Sequence, residues 1–353
     1  MKIAIDVSPL TTGHYLAHRV RGTGFYLTNL KDALLKYFPE NEYVFFKRGD
    51  KLSSNIDIIH YPYFEPYFIT LPHFGLSKST VTVHDLTPLV FKSHFPAGIK
   101  GNAKWQIQKR SLKKAGAIIT DSESSKKDII EYVGVDSAKV NVVYLSAADH
   151  FKPKPDSEKN KIIKKFSLPE NFALYVGDAT WNKNLPGLIE AFNQTDYFLV
   201  IVGKAFENKN FDKDNPWNQS LKKAQDLAEK NKRIITLGFV SDEDLASLYN
   251  AALLFTMPSF YEGFGLPVLE AMQSGCPVVI SDKGSLKEIA GEAAVYVDPY
   301  EADSIKKGIE KLMSDSSLRK KLSEKGIERA KKFSWRQTAV NTIEVYKKIA
   351  WIS

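Results

Sequence analysis

The stretch YEGFGLPVLEAMQSGCPVVISD, residues 261–282, decides the fold of this chain. Residues 253–258 just before it form an apolar run, short enough for a buried strand, which Gly263 and Gly265 then break. Pro267 suits the first turn of a helix, where its missing N–H costs nothing. The stretch therefore predicts a strand, a glycine-rich turn and the beginning of a helix.

Two glutamates flank this turn, Glu262 on the loop and Glu270 early in the helix. Between them lie the backbone N–H groups of Phe264, Gly265 and Leu266, at the positive end of the helix dipole. A strand, a glycine loop and a helix start together make a phosphate site. The alternative is a tight turn with two solvated carboxylates. Because carboxylates on both sides suit a diphosphate with hydroxyl-bearing groups at each end, we predict a nucleotide-sugar site.

The whole string resembles the E-x7-E signature of retaining glycosyltransferases with the GT-B fold, in the large group 1 or family 4 that includes many bacterial mannosyltransferases. The resemblance implies that Glu262 lies against the donor sugar as a catalytic residue and that Glu270 holds the ribose hydroxyls. It implies that the backbone at Phe264, Gly265 and Leu266 contacts sugar and phosphate. No cofactor is implied, since the nucleotide sugar, GDP-mannose for instance, is the donor substrate.

The order of segments predicts an α/β protein with two domains. A chain of 353 residues is too long for one ordinary core. Strand-like and helix-like segments alternate, as in parallel sheets with helices on both faces. Two Rossmann-like, doubly wound domains would then face each other across a cleft. The resemblance makes residues 1–155 the acceptor-binding domain and residues 166–334 the nucleotide-sugar-binding domain, with residues 335–353 as a helix that crosses back to the first.

The segments themselves can be placed from their apolar patterns. A helix is predicted over residues 26–37, and residues 151–165 are polar, as in a linker that leads into a helix. The predicted strands are residues 3–7, 43–46, 56–61, 79–83, 117–120, 141–144, 173–176, 197–202, 233–237, 253–256, 278–281 and 294–297.

A phosphate cation is predicted at Lys183, just after the strand at residues 174–176. A cation there can neutralise a diphosphate as charge grows on the leaving group. A solvated loop lysine is the alternative. The resembled motif usually carries an arginine beside the lysine or directly after the glycine, where this chain has Asn182 and Asp178. Lys204, after the next strand, is a candidate substitute.

Two further positions in the first half are candidate binding residues. Gly22 and Gly24 lie before the predicted helix, where glycines let the backbone approach a ligand. His84 follows a strand in VHDL, and the resemblance implies that it reaches the donor sugar as a catalytic residue. An ordinary loop and a structural histidine are the alternatives. His14 and His18 are expected on an acceptor-side loop.

Residues 86–120 form a basic region without Asp or Glu in a chain of net charge +8. Phe91, Phe95, Ile99 and Trp105 are interleaved with its lysines, which predicts a basic surface bearing aromatic side chains. Such a surface suits anionic lipid headgroups, a phosphorylated acceptor or nucleic acid, and a solvated helix face is the alternative. The resemblance favours peripheral membrane contact over nucleic acid.

Several classes of protein are disfavoured. Cys276 is the only cysteine, so a disulfide framework or cysteine-based metal site is excluded. No apolar run approaches a transmembrane helix, and the first ten residues are typical of a strand, which favours a cytoplasmic protein. The basic region and the resemblance imply a location at the inner face of the cell membrane. Asp212 and Asp214 spell D-x-D without a preceding strand, and residues 242–244 suit a helix start, so we expect no metal site.

The leading functional hypothesis is a metal-independent, retaining glycosyltransferase that moves a hexose, such as mannose from GDP-mannose, onto a glycan or lipid-linked acceptor. Another enzyme of the same fold, a nucleotide-sugar epimerase or a phosphorylase, is the first alternative. A non-catalytic glycan-binding protein is the second, and the missing phosphate arginine is its support.

Overall fold

The computed structural model describes residues 1–11, 20–73, 75–207 and 210–350. Every predicted strand is present, with ends that differ by at most two residues from the prediction. The strands are β1 (Lys2–Asp6), β2 (Glu42–Phe46), β3 (Ile58–Tyr61), β4 (Ser79–Thr82), β5 (Ala117–Thr120), β6 (Val140–Val142), β7 (Phe172–Val176), β8 (Phe198–Val202), β9 (Ile234–Gly238), β10 (Leu254–Met257), β11 (Val278–Ser281) and β12 (Ala294–Val297).

Helices connect most of these strands in the described part of the chain. They are α1 (Val20–Tyr37), α2 (Thr87–Val90), α3 (Gly98–Lys114), α4 (Glu123–Asp128), α5 (Asp156–Phe166), α6 (Leu185–Phe192), α7 (Gln219–Ala228), α8 (Asp242–Ala251), α9 (Leu266–Gln273), α10 (Leu286–Ala290), α11 (Ala302–Ser314), α12 (Ser316–Ala330) and α13 (Trp335–Ala350).

The strands form two six-stranded parallel sheets, ordered β2-β1-β3-β4-β5-β6 and β12-β11-β10-β7-β8-β9. The second sheet grows from β7 through β8 to β9, and the chain then returns to the other side of β7 to add β10, β11 and β12. The pair β7 and β10 is therefore a topological switch point, where parallel α/β sheets leave a crevice beyond the carboxyl ends of their strands. The predicted α/β class with parallel sheets is confirmed.

Burial explains why the strands could be recognised in the sequence. All residues of β10 and β11, LFTM and VVIS, are buried, because both strands lie inside the sheet with helices on its faces. β12, at the sheet edge, has only one fully buried residue, Val297. Strands covered on both faces give continuous apolar runs, which sequence patterns detect directly.

The chain divides into two compact units, one of residues 1–146 with 333–353 and one of residues 147–332. In the first unit α13 packs against α1 and strands β3 to β5. Residues 147–155, which the sequence suggested for the first domain, group with the second unit. Two side chains hold them there: Asn250 Nδ2 donates to the Lys152 carbonyl at 2.9 Å and Gln273 Nε2 to the Ala148 carbonyl at 3.0 Å.

Two local predictions differ from the structure. The supposed linker at residues 151–165 is mostly helix α5, whose one fully buried side chain, Ile162, gives too weak an amphipathic signal to detect. Helix α1 begins at Val20, not at residue 26. Thr23 is buried on the same side of the helix as Tyr26, which extends the buried face towards the helix start.

Candidate active site

The strand, turn and helix predicted from residues 261–282 form at the end of β10. Gly265 has a φ of 96°, in the left-handed region that favours glycine, and helix α9 begins at the next residue with Pro267 in its first turn. A Cβ at Gly265 would lie 2.7 Å from Leu286 Cδ2, so both the conformation and the packing require glycine. Pro267 carries no N–H, and the Val268 N–H donates to the Gly265 carbonyl at 3.0 Å, so the Leu266 N–H is the donor at the start of α9 beside this turn.

Glu262 and Lys183 meet at the switch point of the second sheet. Lys183 ends the 3₁₀ turn Trp181–Lys183 after β7, and Glu262 lies on the loop after the neighbouring strand β10. Lys183 Nζ lies 2.7 Å from Glu262 Oε2, with side chains 19% and 6% exposed. The parallel pairing thus brings together two predicted site residues from motifs that are far apart in the sequence.

The environment of Glu262 is that of a buried carboxylate with one satisfied oxygen. Burial raises the pKa of Glu262 above its usual range, and the Lys183 ammonium works against that rise. The other oxygen, Oε1, is buried and makes no hydrogen bond of normal geometry. The Ser259 hydroxyl nearby also lowers the pKa of Glu262. Buried polar atoms are nearly always paired, so Oε1 can accept a further hydrogen bond beside the glycine turn.

The loop after β11 fixes the backbone of the glycine turn. Ser285 Oγ donates to the carbonyls of Glu262 at 3.1 Å and Phe264 at 2.7 Å, and the Ser285 N–H also reaches the Glu262 carbonyl. Gly284 has a φ of 61°, and a Cβ there would lie 2.3 Å from the Glu262 carbonyl oxygen. Sequence reasoning missed both residues, although a Gly-Ser pair after a buried strand is a signal that could have found them.

Two asparagines attach the Lys183 turn to the Glu262 loop. Asn182 is buried, and its Nδ2 donates to the Tyr261 carbonyl at 3.0 Å. Asn184, at a φ of 52°, donates from Nδ2 to the carbonyls of Pro258 at 3.1 Å and Pro299 at 2.6 Å. Asn182 therefore occupies the expected arginine position as a structural clamp. Asn184 was missed, although an Asn-Leu-Pro helix start is a recognisable signal.

The remaining residues of this edge are exposed. Asp178 Oδ1 accepts from Thr180 Oγ1 at 2.8 Å, which makes it a carboxylate that shapes its own loop. Lys204 begins the 3₁₀ turn Lys204–Phe206 directly beyond β8. Because β7 and β8 pair in parallel, Lys204 lies at the same edge of the sheet as Lys183.

Glu270 lies on α9 one turn beyond the glycine loop. Its Oε2 accepts a hydrogen bond of 3.0 Å from the hydroxyl of Tyr249, a fully buried residue of α8. The rings of Phe151 and Phe255 pack edge-on against Tyr249 and fix its position. Burial raises the pKa of Glu270 to about 7, while the Tyr249 hydroxyl works against the rise. Tyr249 was not predicted, since a buried helix tyrosine carries no functional signal in the sequence.

In the first unit, His84 is paired with Asp121. His84 follows β4 and Asp121 directly follows β5, the parallel neighbour of β4. His84 Nδ1 lies 2.7 Å from Asp121 Oδ2, and the Asp121 side chain is 3% exposed. Burial lowers the pKa of His84, but the Asp121 carboxylate outweighs it, so the pKa is raised overall. Sequence reasoning missed Asp121, although a carboxylate directly after a buried strand could have identified it.

Gly22 and Gly24 do not lie on a loop before the helix, as predicted, but in the first turns of α1. Gly22 is exposed, and no atom lies within 4 Å of a Cβ placed there. Tyr26, one turn further along α1, contacts the His84 ring edge-on at 4.9 Å. The start of α1 is thus near His84. His14 and His18 lie outside the described residues.

The basic region differs from the prediction in its aromatic residues. Phe95 and Trp105 are buried, and only Ile99, 91% exposed, fully faces solvent among the four named apolar residues. The buried side chains of α3 include Trp105, Gln108 and Leu112, which repeat at helical spacing and turn the aromatic ring inward. The basic residues that remain exposed are Lys92, Lys100, Lys104, Arg110, Lys113 and Lys114.

The acidic motifs have local structural roles. Asp212 Oδ1 accepts from the Asp214 N–H at 3.0 Å, and Ser241 Oγ accepts from the Asp244 N–H at 3.2 Å as the N-cap of α8. Within the described ranges, no three His, Cys, Asp or Glu side chains are grouped to hold a metal ion. None of the described helices is long and apolar enough to cross a membrane.

Comparisons with known sequences match both halves of the chain. The family model "Glycosyl transferases group 1" matches residues 156–329, and "Glycosyltransferase Family 4" matches residues 13–146. O-antigen chain mannosyltransferase B of Escherichia coli is 33% identical over 303 residues, which are 82% of this chain and 75% of that protein. The serotype-specific mannosyltransferase WbdA of E. coli is 29% identical over 81% of this chain, which spans only about a third (35%) of WbdA.

Solved structures share the fold at low identity. Sucrose-phosphate synthase from Thermosynechococcus elongatus has a TM-score of 0.77 at 19% identity, with both chains covered completely. WaaG, a glycosyltransferase involved in lipopolysaccharide biosynthesis, has a TM-score of 0.68 at 14% identity over 99% of each chain. The fold is therefore the two-domain α/β GT-B fold. With both halves matched and a relative 33% identical over most of its length, the chain belongs to the group 1 glycosyl transferases and is a glycosyltransferase.

Proposed function

We propose that this protein is a retaining mannosyltransferase that moves mannose from GDP-mannose to an O-antigen-type glycan or its lipid-linked precursor. The observation that carries the proposal is the buried Lys183–Glu262 pair beside the glycine turn, 2.7 Å between Nζ and Oε2. It stands in a chain 33% identical to an enzyme named as an O-antigen chain mannosyltransferase.

Each end of the donor has a matching group. The Lys183 ammonium and the positive end of the α9 dipole, with the Leu266 N–H, supply positive charge for the diphosphate. Glu262 Oε1, buried without a normal hydrogen bond, can accept from a sugar hydroxyl. Glu270, fixed by Tyr249 at 3.0 Å, can accept from the ribose hydroxyls.

The same groups support retention and metal independence. Front-face substitution needs mainly stabilisation of the leaving diphosphate and correct positioning. Lys183 and the α9 dipole supply that stabilisation without a divalent ion. Because Asn182 is a clamp in place of an arginine, we propose that Lys204, at the same edge of the sheet, supplies the second phosphate cation.

We also propose peripheral contact with anionic lipid at the inner face of the cell membrane, through α3. The exposed Ile99 and the basic residues Lys100 and Lys104 near the helix start support this contact. Sedimentation with anionic vesicles tests it: Ile99→Glu should weaken binding several-fold, and equal binding by that variant would refute it.

The test of the transferase function is a donor screen with the purified protein. Thermal shift with GDP-, UDP-, ADP- and dTDP-sugars, each with magnesium or with EDTA, should single out GDP-mannose in both conditions. Transfer to a mannose-terminated glycan should follow, and NMR of the new linkage should show the α configuration of the donor. A β linkage, loss of transfer in EDTA, or a response to another donor would each refute the corresponding part of the proposal.

A further inference from the structure

Asp121 and His84 form a largely buried polar pair in the first unit. Asp121 Oδ2 lies 2.7 Å from His84 Nδ1, and the two residues follow adjacent parallel strands, so the sheet fixes their separation. Since the nearest group to Nδ1 is a carboxylate, Nδ1 carries the hydrogen and donates it. The pairing thereby selects one imidazole tautomer, in which Nε2 is left on the opposite side of the ring.

The other atoms of this pair are buried without partners. Neither His84 Nε2 nor Asp121 Oδ1 makes a hydrogen bond to any described residue. A buried ring nitrogen that finds no protein partner costs stability unless a ligand satisfies it. His84 Nε2 is therefore the atom of this pair that is available to a substrate.

A second set of hydrogen bonds supports the Tyr26 ring, which packs against His84. Tyr346 of α13 bonds to His60 Nδ1 at 2.7 Å, His60 Nε2 to Thr82 Oγ1 at 2.8 Å, and Thr82 Oγ1 to the Tyr26 hydroxyl at 3.0 Å. The Tyr26 ring then packs edge-on against His84 with centroids 4.9 Å apart. The C-terminal helix and β3 thus fix the ring that contacts His84.

We propose that Asp121 is a positioning residue for the transfer reaction: through Nδ1 it fixes the orientation of the His84 ring and favours its imidazolium form, in which Nε2 also carries a hydrogen and donates it to an oxygen of a sugar substrate. This inference deepens the proposed function and rests on it for the identity of the ligand. His84 would be the residue that touches the sugar substrate, and Asp121 would act only through it.

The charged surroundings of His84 favour this state. Besides Asp121, the carboxylates of Asp85 and Glu65 act on the imidazole and favour its charged form, while burial opposes it. His60, which bonds to Thr82 beyond the Tyr26 ring, is kept neutral because burial lowers its pKa to about 3. His84 therefore keeps its proton to a higher pH than a free imidazole, and donation from Nε2 is lost as pH rises through its pKa.

The experiment is NMR of the His84 imidazole nitrogens in the whole protein, assigned by comparison with His84→Gln, together with transfer rates against pH. In the wild type, the neutral ring should be protonated at Nδ1 and the titration midpoint should lie above that of a free imidazole. Asp121→Asn should lower the midpoint, move the alkaline limb of kcat/KM to lower pH and reduce kcat by about 10- to 100-fold, the scale of a lost orienting partner.

Matched variants separate positioning from folding. Tyr346→Phe, which leaves the His84–Asp121 pair intact, should leave the His84 midpoint unchanged. In a His84→Gln background, Asp121→Asn should add no further loss of kcat, because the two residues act as one unit.

Three results would overturn the proposal: an unchanged midpoint and tautomer in Asp121→Asn, fully additive losses, or a wild-type midpoint at or below that of free imidazole. The last result is measured on the wild-type protein, so it does not depend on the folding of a variant. The NMR measurement is independent of turnover, so a protein with the proposed titration and no transfer activity would refute the transferase proposal and leave the role of Asp121 in fixing the ring intact.

Discussion

The two sheets of this protein each place an oppositely charged pair beyond adjacent parallel strands, but only one of the pairs lies at a switch point. Lys183 and Glu262 follow β7 and β10, where the direction of strand addition reverses. His84 and Asp121 follow β4 and β5, one step along a continuous run of strands. A switch point opens a crevice, and the first pair lies there beside the glycine turn at Gly265. Helices begin beyond both pairs, α9 after Glu262 and α4 after Asp121, so the glycine turn is what distinguishes the first pair.

The two pairs also differ in how they respond to pH. The pKa of each carboxylate is raised by burial, and in each pair the cation works against that rise. A lysine ammonium ordinarily titrates far above neutral pH and an imidazole close to it, and in this protein the pKa of His84 is raised from its usual value. The Lys183–Glu262 pair is therefore expected to respond less to pH than the His84–Asp121 pair.

The largest effect is expected from Glu262→Gln, which removes the negative charge of the Lys183–Glu262 pair and keeps the shape of the side chain. Transfer should fall by about 10³-fold, the scale at which a preorganised polar group at the reacting centre acts. The melting temperature and circular dichroism should stay close to those of the wild type. Glu292→Gln, at a side chain 94% exposed, is the matched control and should transfer normally. Retention of a tenth of the activity by Glu262→Gln would contradict the assignment.

Lys183→Met removes the cation of the same pair. We expect about a 10²-fold loss of kcat/KM for the donor, because the leaving diphosphate loses its positive partner. Glu262 should then become protonated at higher pH than before, since the ammonium no longer works against the effect of burial. Lys307→Met, at a lysine 74% exposed, is the control. If the double variant with Glu262→Gln shows strictly additive losses, the two residues do not act as a pair.

Tyr249→Phe tests the support of Glu270 and should have a smaller effect. The hydroxyl of Tyr249 works against the rise in the pKa of Glu270 to about 7, so removing it should raise that pKa further. As pH falls, Glu270 would then become protonated at a higher pH than in the wild type. The donor KM should therefore rise about tenfold at neutral pH. Tyr43→Phe, which loses a hydrogen bond in the first unit, should leave donor KM unchanged. If the acidic limb of the pH dependence of the donor KM is not shifted in Tyr249→Phe, Glu270 has no role in donor binding.

The smallest effect is expected from Ser285→Ala, which removes the side-chain hydrogen bonds to the Glu262 and Phe264 carbonyls. Unfolding in urea should show a loss of about 1–3 kcal/mol, and donor binding should weaken a few-fold as the turn loosens. Ser323→Ala loses one hydrogen bond, to the Gly275 carbonyl, and should reduce stability without affecting donor binding. Equal donor binding in both variants would show that Ser285 does not support the glycine turn.

Most of the fold could be predicted because buried parallel strands are continuous apolar runs. The errors occurred where local patterns are weak. The helix at residues 156–166 buries one side chain fully and was taken as a linker. The start of α1 was misplaced because its glycines suggested a loop, although the buried Thr23 extends the helical face. Trp105 was expected at the surface, and only its place on the inner face of α3 shows that it belongs to the core.

The sequence by itself determined the class of this protein, the position of the glycine turn and the two glutamates around it. These features are local, since residues 261–282 carry the strand end, the turn and the helix start together. Only the tertiary structure decided the partners: Lys183 for Glu262, Tyr249 for Glu270 and Asp121 for His84. Each of these pairs joins residues that are distant in the chain, and the order of strands and helices, which no local pattern encodes, brings them within hydrogen-bonding distance.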